Sequence, residues 1–157
     1  MIRIRRFRNA DVRKAGNVVK RAQRLTLAPF YPPAVVEHFC ERNNPNNFLE
    51  RAKERDFFVA EDGDRIIGLI ARKGNELRTF YVDPAHQGRG IGRKLYERFK
   101  REALKHGHTH VKVSSSPYAV PIYAALGFRK IRRVKKAVGK FIYWDTLMEQ
   151  ELEGISF

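Results

Sequence analysis

The spacing of apolar residues changes several times along the chain, and each spacing predicts a different element. Residues 2–7 alternate between apolar and basic side chains, which is typical of a short half-buried strand. From Asn9 to Leu25 the apolar residues recur three and four positions apart, and this spacing predicts a helix with Asn9 at its N-cap. The same spacing predicts a second helix over 34–42 and one or two helical turns over 48–55.

The second half of the chain begins with a meander of three short strands, which are separated by turns that contain glycine. A long amphipathic helix follows, in which apolar residues return every four positions. The predicted elements are strands over 57–61, 66–71 and 76–83, the long helix that stops near Gly107, a strand over 109–114, a short helix that begins after Pro117 and ends at Gly127, and strands over 128–134 and 139–152. The core residues predicted for the last strand are Phe141, Tyr143 and Leu147.

The order of these elements is β-α-α-β-β-β-α-β-α-β-β, which predicts an α/β (α+β) fold with a mixed central sheet of about six or seven strands flanked by helices. The strand–helix–strand unit over 76–114 is expected to be a right-handed parallel crossover, whereas the meander before it is antiparallel. No internal repeat or linker interrupts the pattern, and 157 residues suffice for one domain with a substantial core. The prediction is therefore a single domain over residues 1–157.

Composition and charge narrow the class of protein and its partners. Lys and Arg outnumber Asp and Glu by 32 to 17, and the formal net charge of +15 favours anionic partners such as nucleic acid, a phosphorylated cofactor, an acidic protein or membrane headgroups. Cys40 is the only cysteine, which excludes an intrachain disulfide and a cysteine-based metal site. The charged start does not resemble a signal peptide, and no apolar run approaches the roughly 20 residues of a membrane-spanning helix. We expect a soluble cytoplasmic protein without a membrane partner.

The strand that starts at Glu76 runs into a glycine-rich turn, Gln87-Gly88-Arg89-Gly90-Ile91-Gly92, at the start of the long helix. Alternating glycines allow backbone N–H groups to converge without obstruction by Cβ atoms. Those donors and the positive end of the helix dipole suit a phosphate, and Arg89 and Arg93 add positive charge. The turn therefore predicts a phosphate-bearing ligand, and its alternative is an ordinary glycine-rich loop without a ligand.

The turn also matches in full the Q/R-x-x-G-x-G/A motif of the GCN5-related N-acetyltransferase (GNAT) superfamily. Two further segments resemble that family, namely Tyr81-Val82-Asp83-Pro84 before the turn and Ile122-Tyr123-Ala124-Ala125-Leu126-Gly127-Phe128 after it. The three segments occur in the same order as in the family, and the numbers of residues between them also match the family. The order of elements resembles the family over nearly the whole chain. The stretch from Leu25 to Arg55 resembles it least, and in the family this part varies with the acceptor.

The resemblance implies an enzyme, an acyltransferase that takes acetyl-CoA as co-substrate and needs no metal. By analogy, backbone amides of the glycine turn hold the pyrophosphate, and main-chain groups of the preceding strand pair with the pantetheine as though it were an added strand. Ser116 stands where family members frequently have an asparagine that contacts CoA. The residues that the resemblance assigns to the cofactor are Phe80, Tyr81, Val82, Gln87, Gly88, Arg89, Gly90, Ile91, Gly92, Arg93, Ser116 and Tyr123.

The resemblance also implies direct attack of a neutral primary amine on the thioester, after an ammonium of pKa about 10 has lost its proton. Tyr123 falls where the family often places a tyrosine near the sulfur, so its hydroxyl would be the general acid; a core aromatic is the alternative. Glu76 matches the strand glutamate that some members use as general base, directly or through water. A solvated residue at a strand start is an equal alternative for Glu76. The base that other members carry on the next strand has no counterpart in Val111-Lys112-Val113.

The acceptor amine is unidentified, and small molecules, peptides and proteins are all compatible with the sequence. In the family it is contacted by loops such as 26–47, where Phe30, Tyr31 and Pro32-Pro33 predict an apolar wall. The protein is expected to be a monomer or a homodimer.

Two other functions stay open beside acetyl transfer. The basic run from Arg129 to Lys136 is compatible with docking on nucleic acid or the ribosome, although a solvated strand edge is favoured. A non-catalytic regulator that binds acyl-CoA on the same fold is the third hypothesis. His106, His108 and His110 alternate as metal ligands can, but no Cys or acidic cluster stands nearby, so a polar loop is favoured and no metal is predicted.

Overall fold

The computed structural model describes residues 1–152, which form one seven-stranded sheet with helices on both faces. The strands are β1 (Ile2–Arg6), β2 (Asp56–Asp62), β3 (Arg65–Lys73), β4 (Glu76–Val82), β5 (His110–Ser115), β6 (Arg129–Val138) and β7 (Phe141–Glu151). The helices are α1 (Val12–Leu27), α2 (Pro33–Glu41), α3 (Pro45–Ala52), α4 (Ile91–Lys105) and α5 (Val120–Ala125), with short 3-10 turns at Asn9–Asp11 and Pro84–His86. The predicted mixed sheet and order of elements are confirmed, and the helical turns expected over 48–55 form α3. The last five residues of the predicted single domain, 153–157, lie outside the described residues.

The sheet consists of two antiparallel parts that meet at one parallel pair of strands. Its order is β1-β2-β3-β4-β5-β7-β6, and β4 and β5, which α4 connects, are the parallel pair. Only Glu76 with Lys112 and Leu77 with Val113 are paired at this junction. Every other pair of neighbouring strands is matched over five residues or more. The sheet is therefore narrowest between β4 and β5.

The central strands β2 and β3 are buried on both faces, which explains their nearly continuous apolar sequences. Phe58 and Ile70 face α4 in one hydrophobic core. Their neighbours Phe57 and Leu69 face the opposite side, where they pack with α1 and α3 in a second core. Because adjacent side chains on a strand point to opposite faces, the same two strands hold both layers of helices in place.

The start of α1 differs from the prediction. Asn9 lies in the 3-10 turn, and Asp11 occupies the N-cap position instead. The Asp11 carboxylate accepts a hydrogen bond from the backbone N–H of Arg8 at 2.8 Å and pairs with the guanidinium of Arg5 at 2.8 Å. The prediction of Asn9 as N-cap is wrong because this ion pair ties Asp11 to β1.

The last strand shows a second difference in the predicted core. Phe141 and Tyr143 are half-buried and pack against a small core that includes Cys40, which is 1% exposed. Leu147 is only half-buried and belongs to no core cluster among the described residues. Met148, on the opposite face of β7, is completely buried in the α4 core instead.

A close approach at Gly16 fixes the position of the segment between α2 and α3. A Cβ atom at Gly16 would lie 2.5 Å from the backbone oxygen of Asn43, so only glycine allows this contact without rearrangement. The side-chain amide of Asn43 donates a hydrogen bond to Gln23 of α1 at 3.1 Å. This contact holds the α2–α3 segment against α1, beside the gap that opens between β4 and β5.

Candidate active site

A cavity of about 510 Å³ opens where β4 and β5 separate beyond Leu77 and Val113. Residues Arg78–Val82 line it, and the edge of this segment that faces away from β3 has no strand partner among the described residues. Free N–H and C=O groups on such an edge can pair with an extended chain that contains amides. The cavity has the size that binds a small molecule or cofactor.

The glycine-rich turn forms one end of this cavity. Gly88 and Gly90 have φ values of 80° and 75°, in the left-handed region that favours glycine, and both line the cavity. A Cβ atom at either position would meet nothing within 4 Å, so the concave side of the turn is open. The next residue, Ile91, is 1% exposed and anchors the first turn of α4 in the core. An anion at this place would face free backbone donors and the positive end of the α4 dipole.

The structure brings most of the predicted cofactor residues to this one cavity. Ten of them line it, namely Phe80, Tyr81, Val82, Gln87, Gly88, Gly90, Ile91, Gly92, Ser116 and Tyr123. Arg89 is directed elsewhere, since its guanidinium contacts His86 Nδ1 at 2.9 Å and Asp62 at 3.5 Å. Arg93 is exposed on the first turn of α4 and does not line the cavity. The predicted roles of these two side chains stay predictions.

Tyr123 of α5 reaches the cavity through a wall of aromatic rings. Its ring packs against Phe80 at a centroid distance of 6.2 Å and against Phe128 at 5.4 Å. The side chain is 7% exposed, and its hydroxyl has no hydrogen-bond partner within residues 1–152. Burial, with a smaller contribution from Tyr81 and Tyr96, raises the pKa of the Tyr123 phenol well above its ordinary value. The phenol therefore stays protonated and is free to donate a hydrogen bond.

Glu76 lies at the narrow junction of the sheet, at the floor of the cavity. Its carboxylate accepts a hydrogen bond from Arg78 at 2.7 Å and pairs with Lys112 across the junction at 3.5 Å. Burial acts to raise the pKa of Glu76, but the hydrogen bond and charge of Arg78, together with Lys112, outweigh it and hold the pKa below its ordinary value. Glu76 is therefore ionised, and its carboxylate is already paired with the side chains of Arg78 and Lys112.

Comparison with known proteins identifies the family to which this architecture belongs. The family model described as acetyltransferase (GNAT) domain matches residues 19–143. The chain belongs to the GNAT acetyltransferase family. The resemblance inferred from the sequence is thereby confirmed, and so is the enzyme class, an acyltransferase of the N-acetyltransferase type.

Three similar proteins illustrate the range of the family. The N-alpha-acetyltransferase RimI of Mycobacterium tuberculosis is 31% identical over 120 residues, which cover 72% of each chain. The L-methionine sulfoximine/L-methionine sulfone acetyltransferase of Salmonella typhimurium is 36% identical over 79 residues, which cover 48% of this chain and 46% of the relative. The PaiA N-acetyltransferase of Thermoplasma acidophilum, solved in complex with coenzyme A, shares the fold at 22% identity, with a TM-score of 0.80 over 96% of this chain and 99% of that chain.

This acetyltransferase has a second carboxylate in the cavity that was not predicted from the sequence. Asp145 of β7 is 8% exposed and lines the cavity. It accepts a hydrogen bond from Ser114 at 3.1 Å and pairs with Lys136 at 3.2 Å. Burial raises the pKa of Asp145 above its ordinary value, and these two neighbours offset that effect only in part. A signal was present, since Asp145 is an acidic residue within an apolar and aromatic strand.

Basic side chains from the least family-like part of the chain form another wall of the cavity. Arg42 follows α2, Arg51 lies on α3 and Arg55 precedes β2, and all three line the cavity of this acetyltransferase. Burial together with repulsion from Arg55 and Arg42 lowers the pKa of Arg51 to about 10. Burial and repulsion from Arg78 and Arg42 likewise lower the pKa of Arg55 to about 10. The sequence analysis overlooked these residues because each reads as an ordinary solvated charge.

The predicted apolar wall of the acceptor region is present only in part. Tyr31 is 7% exposed and lines the cavity, where its ring packs on Tyr143 at a centroid distance of 5.4 Å. Phe30 is 46% exposed and does not line the cavity, and neither do Pro32 and Pro33. The wall therefore consists of Tyr31 with Phe39 of α2 and Tyr143 of β7.

The histidine triplet and all of the basic run except Lys136 lie outside this site. His106 Nδ1 contacts the backbone oxygen of Glu102 at 2.8 Å, and His110 contacts Asn75 at 3.3 Å. Within residues 1–152 no group of three or more His, Cys, Asp or Glu side chains is placed to hold a metal ion.

The run Arg129–Lys136 lies in β6, an outer strand of the sheet, and most of it is exposed. Across the described residues, every helix is too short or too polar to cross a bilayer.

Proposed function

We propose that this chain is an N-acetyltransferase that transfers the acetyl group of acetyl-CoA to a primary amine. The observation that carries the proposal is the single cavity that joins the open glycine turn to the unpaired edge of β4 and to the Tyr123 hydroxyl. Coenzyme A combines a pyrophosphate with an extended chain of amides and a terminal sulfur, and these three parts match the three features in that order. The relative of known structure that holds coenzyme A supports the same donor.

In the proposed complex the backbone N–H groups over 88–92 bind the pyrophosphate oxygens. The free edge over 80–82 pairs with the pantetheine amides, which directs the thioester toward the junction of β4 and β5. Ser116, on the opposite wall, offers a shorter hydrogen-bonding group than the asparagine frequent in the family. Direct attack without a covalent enzyme intermediate requires both substrates to be bound together, and in the proposed complex the thioester and the acceptor amine lie in the same cavity.

The chemical step is the attack of the neutral amine nitrogen on the thioester carbonyl carbon. The new C–N bond forms as the C–S bond breaks, and the nitrogen loses a proton to a carboxylate, directly or through water. Tyr123 donates a hydrogen bond and then its proton to the departing sulfur, and solvent restores the phenol proton. Glu76 is the base that the family resemblance implies, and Asp145 is the competing base that the structure adds.

The donor and the reaction are tested together by binding and turnover. We expect acetyl-CoA to bind in the micromolar range or tighter by isothermal titration calorimetry, because pyrophosphate and pantetheine are both held. We also expect free CoA thiol to be released when primary amines are supplied, as detected with a thiol reagent. Absence of binding would refute the donor assignment. Binding without thiol release for any amine class would favour the acyl-CoA-binding regulator over the enzyme.

The two candidate bases differ in the direction of their pKa shifts, so the pH dependence of kcat distinguishes them. A base must be ionised, and Asp145, whose pKa is raised, loses its charge on acidification at a higher pH than the ordinary aspartate value of about 4. Glu76, whose pKa is lowered, loses its charge below the ordinary glutamate value of about 4.3. If Asp145 is the base, Asp145→Asn lowers kcat about 100-fold or more and removes that acidic inflection, whereas Glu76→Gln has a smaller effect.

Glu76→Gln is also the matched control for this experiment, because it removes one carboxylate from the same cavity. The opposite result, a large loss of kcat with Glu76→Gln and a small one with Asp145→Asn, would assign the base to Glu76. Melting temperatures of both variants separate loss of catalysis from loss of folding. Asp145→Asn is expected to be at least as stable as the parent at pH 7, because burial disfavours the ionised carboxyl.

Two relatives with different acceptors support two candidate acceptor classes for this chain. One is an N-alpha-acetyltransferase, which points to a peptide or protein N-terminus. The other acts on L-methionine sulfoximine and L-methionine sulfone, which are small amino-acid derivatives.

Binding to nucleic acid or the ribosome through the exposed β6 stays a secondary hypothesis, and the monomeric or homodimeric state and the cytoplasmic location stay predictions.

A further inference from the structure

Three arginines concentrate positive charge at the acceptor side of the cavity. Arg42, Arg51 and Arg55 come from the segment between α2 and β2 and line the same cavity as β4. Arg51 donates hydrogen bonds to the side-chain oxygen of Asn43 at 2.6 Å and to the backbone oxygen of Arg42. Among the described residues, Arg55 donates one side-chain hydrogen bond, to the hydroxyl oxygen of Thr79 at 3.4 Å. All of these acceptors are uncharged.

Within residues 1–152 no carboxylate lies within 4.0 Å of these three guanidinium groups. Glu54 and Glu76 attract Arg55 from a longer distance, but burial and the neighbouring arginines outweigh this attraction and lower the pKa of Arg55. Glu76 is moreover already paired with Arg78 and Lys112.

Two buried or half-buried arginines elsewhere in the chain do have carboxylate partners. Arg5 is paired with two carboxylates, at 2.8 Å and 2.7 Å, and Arg72 is paired with Asp56. Arg51 and Arg55 are half-buried, whereas Arg42 is exposed at the rim of the cavity. Like charges that are partly buried without a carboxylate partner disfavour the folded state, and such costs are typical of binding sites.

The coenzyme does not supply the missing negative charge at this place. Thr79, which contacts Arg55, lies in the middle of β4, three residues before Val82, and the glycine turn follows the C-terminal end of the strand. Three residues of strand span roughly 10 Å, and the turn is further still. The arginines also belong to the layer of α1 and α3, whereas the glycine turn begins α4 on the opposite face. The phosphates and the arginines therefore lie at different ends of the cavity.

We propose that the acceptor of this acetyltransferase carries an anionic group beside its amine, in the simplest case the carboxylate of a free amino acid, and that Arg42, Arg51 and Arg55 bind this group. The inference rests on the proposed acetyl transfer and names the substrate class of that site. A guanidinium matches a carboxylate or a phosphate with two parallel hydrogen bonds, and such charge-assisted bonds are the strong ones in a partly buried site. A peptide N-terminus, which carries an amide in place of this carboxylate, leaves the arginines unpaired.

The experiment compares amines that differ only in the anion. Thiol release from acetyl-CoA is measured with glycine, methionine and lysine beside the α-amide of each, and with phosphoethanolamine beside ethanolamine. We expect at least one anionic member to exceed its neutral partner about tenfold or more in kcat/KM. This preference runs against intrinsic reactivity, because the carboxylate stabilises the ammonium form and leaves less neutral amine. The two arms distinguish a carboxylate from a phosphate as the anion.

The variant Arg55→Gln shows whether the arginines cause the preference. We expect kcat/KM for the preferred anionic amine to fall about 10- to 100-fold, while that for its neutral partner changes less than about threefold. Arg55→Lys, which keeps the charge without the planar fork, is expected to recover part of the loss. Arg101→Gln removes the same charge from the exposed face of α4 and is the matched control, with no change expected in either rate. Arg51 is left intact because its hydrogen bonds hold the α2–α3 segment.

The outcomes separate this inference from the proposed function. If acetyl-CoA does not bind to the parent protein, acetyl transfer itself is refuted. If it binds but neutral amides or peptide N-termini are acetylated as well as the anionic amines, or if none of the anionic amines reacts, the inference about the acceptor is overturned. A loss of rate in Arg55→Gln that is equal for anionic and neutral amines also overturns it, because the arginine would then support the fold and not the anion.

Discussion

The variant Gly90→Asp is expected to weaken the binding of acetyl-CoA more than about 100-fold while the fold is retained. Gly90 has a φ of 75° and lines the open side of the turn, where nothing lies within 4 Å of an added Cβ. An aspartate there places a side chain and a negative charge where the pyrophosphate is proposed to bind, and two like charges in contact cost several kcal/mol. Isothermal titration calorimetry measures the affinity, and circular dichroism verifies the fold.

Gly139→Asp is the matched control for this variant. Gly139 also has a positive φ, of 57°, and an added Cβ there would likewise meet nothing within 4 Å, but it lies in the turn between β6 and β7 and does not line the cavity. The backbone strain of the new residue is similar in the two variants, so a difference in affinity reports the charge beside the ligand. Equal affinities for acetyl-CoA in parent and Gly90→Asp would show that the phosphates bind elsewhere.

The second large effect is expected for Tyr123→Phe, which lowers kcat about 100-fold or more and leaves KM for acetyl-CoA nearly unchanged. Phenylalanine preserves the ring contacts with Phe80 and Phe128, so only the hydroxyl is lost. Because burial raises the pKa of this phenol, it stays protonated over the assay range, and kcat of the parent should show no inflection from its ionisation. Steady-state kinetics by thiol release give both constants.

Tyr96→Phe provides the comparison for that measurement. Tyr96 is a buried tyrosine of the same core, but its hydroxyl donates to Gln150 and does not line the cavity. Its loss is expected to reduce stability and to leave kcat unchanged. If Tyr123→Phe retains the parent kcat, Tyr123 is a packing residue and the thiolate leaves without a protein acid.

The features predicted correctly from sequence are those that a short stretch of chain determines. The glycine turn is visible because its three glycines and the following apolar period are neighbours in sequence, and both survive folding as a cavity wall and α4. Tyr123 is selected by its position in the family resemblance; the structure places it on the cavity, and its catalytic role stays a prediction. The N-cap is an exception within a short stretch: Asp11 takes the position in place of Asn9, and its carboxylate pairs with Arg5, which lies only six residues earlier in β1.

The acceptor side is invisible in the sequence because its residues come from distant parts of the chain. Asp145 is about 100 residues from Arg42, and only the packing of α1, α2 and β7 brings both to one cavity. The resemblance identifies Glu76 by its position on the strand, yet the cations that occupy it include Lys112, which lies across the junction of the sheet. Local patterns indicate which residues are charged, whereas the fold decides which charges are neutralised.

The two residue pairs that join β4 to β5 also bear on how the free protein unfolds. Backbone hydrogen bonds transmit cooperativity across a sheet, so a junction this narrow divides the molecule into two units, with β1–β4 on one side and β5–β7 on the other. In the free protein the core under α4 provides the main coupling between them. A ligand that pairs with the free edge of β4 bridges this junction, and the donor then serves as part of the protein's secondary structure as well as its substrate.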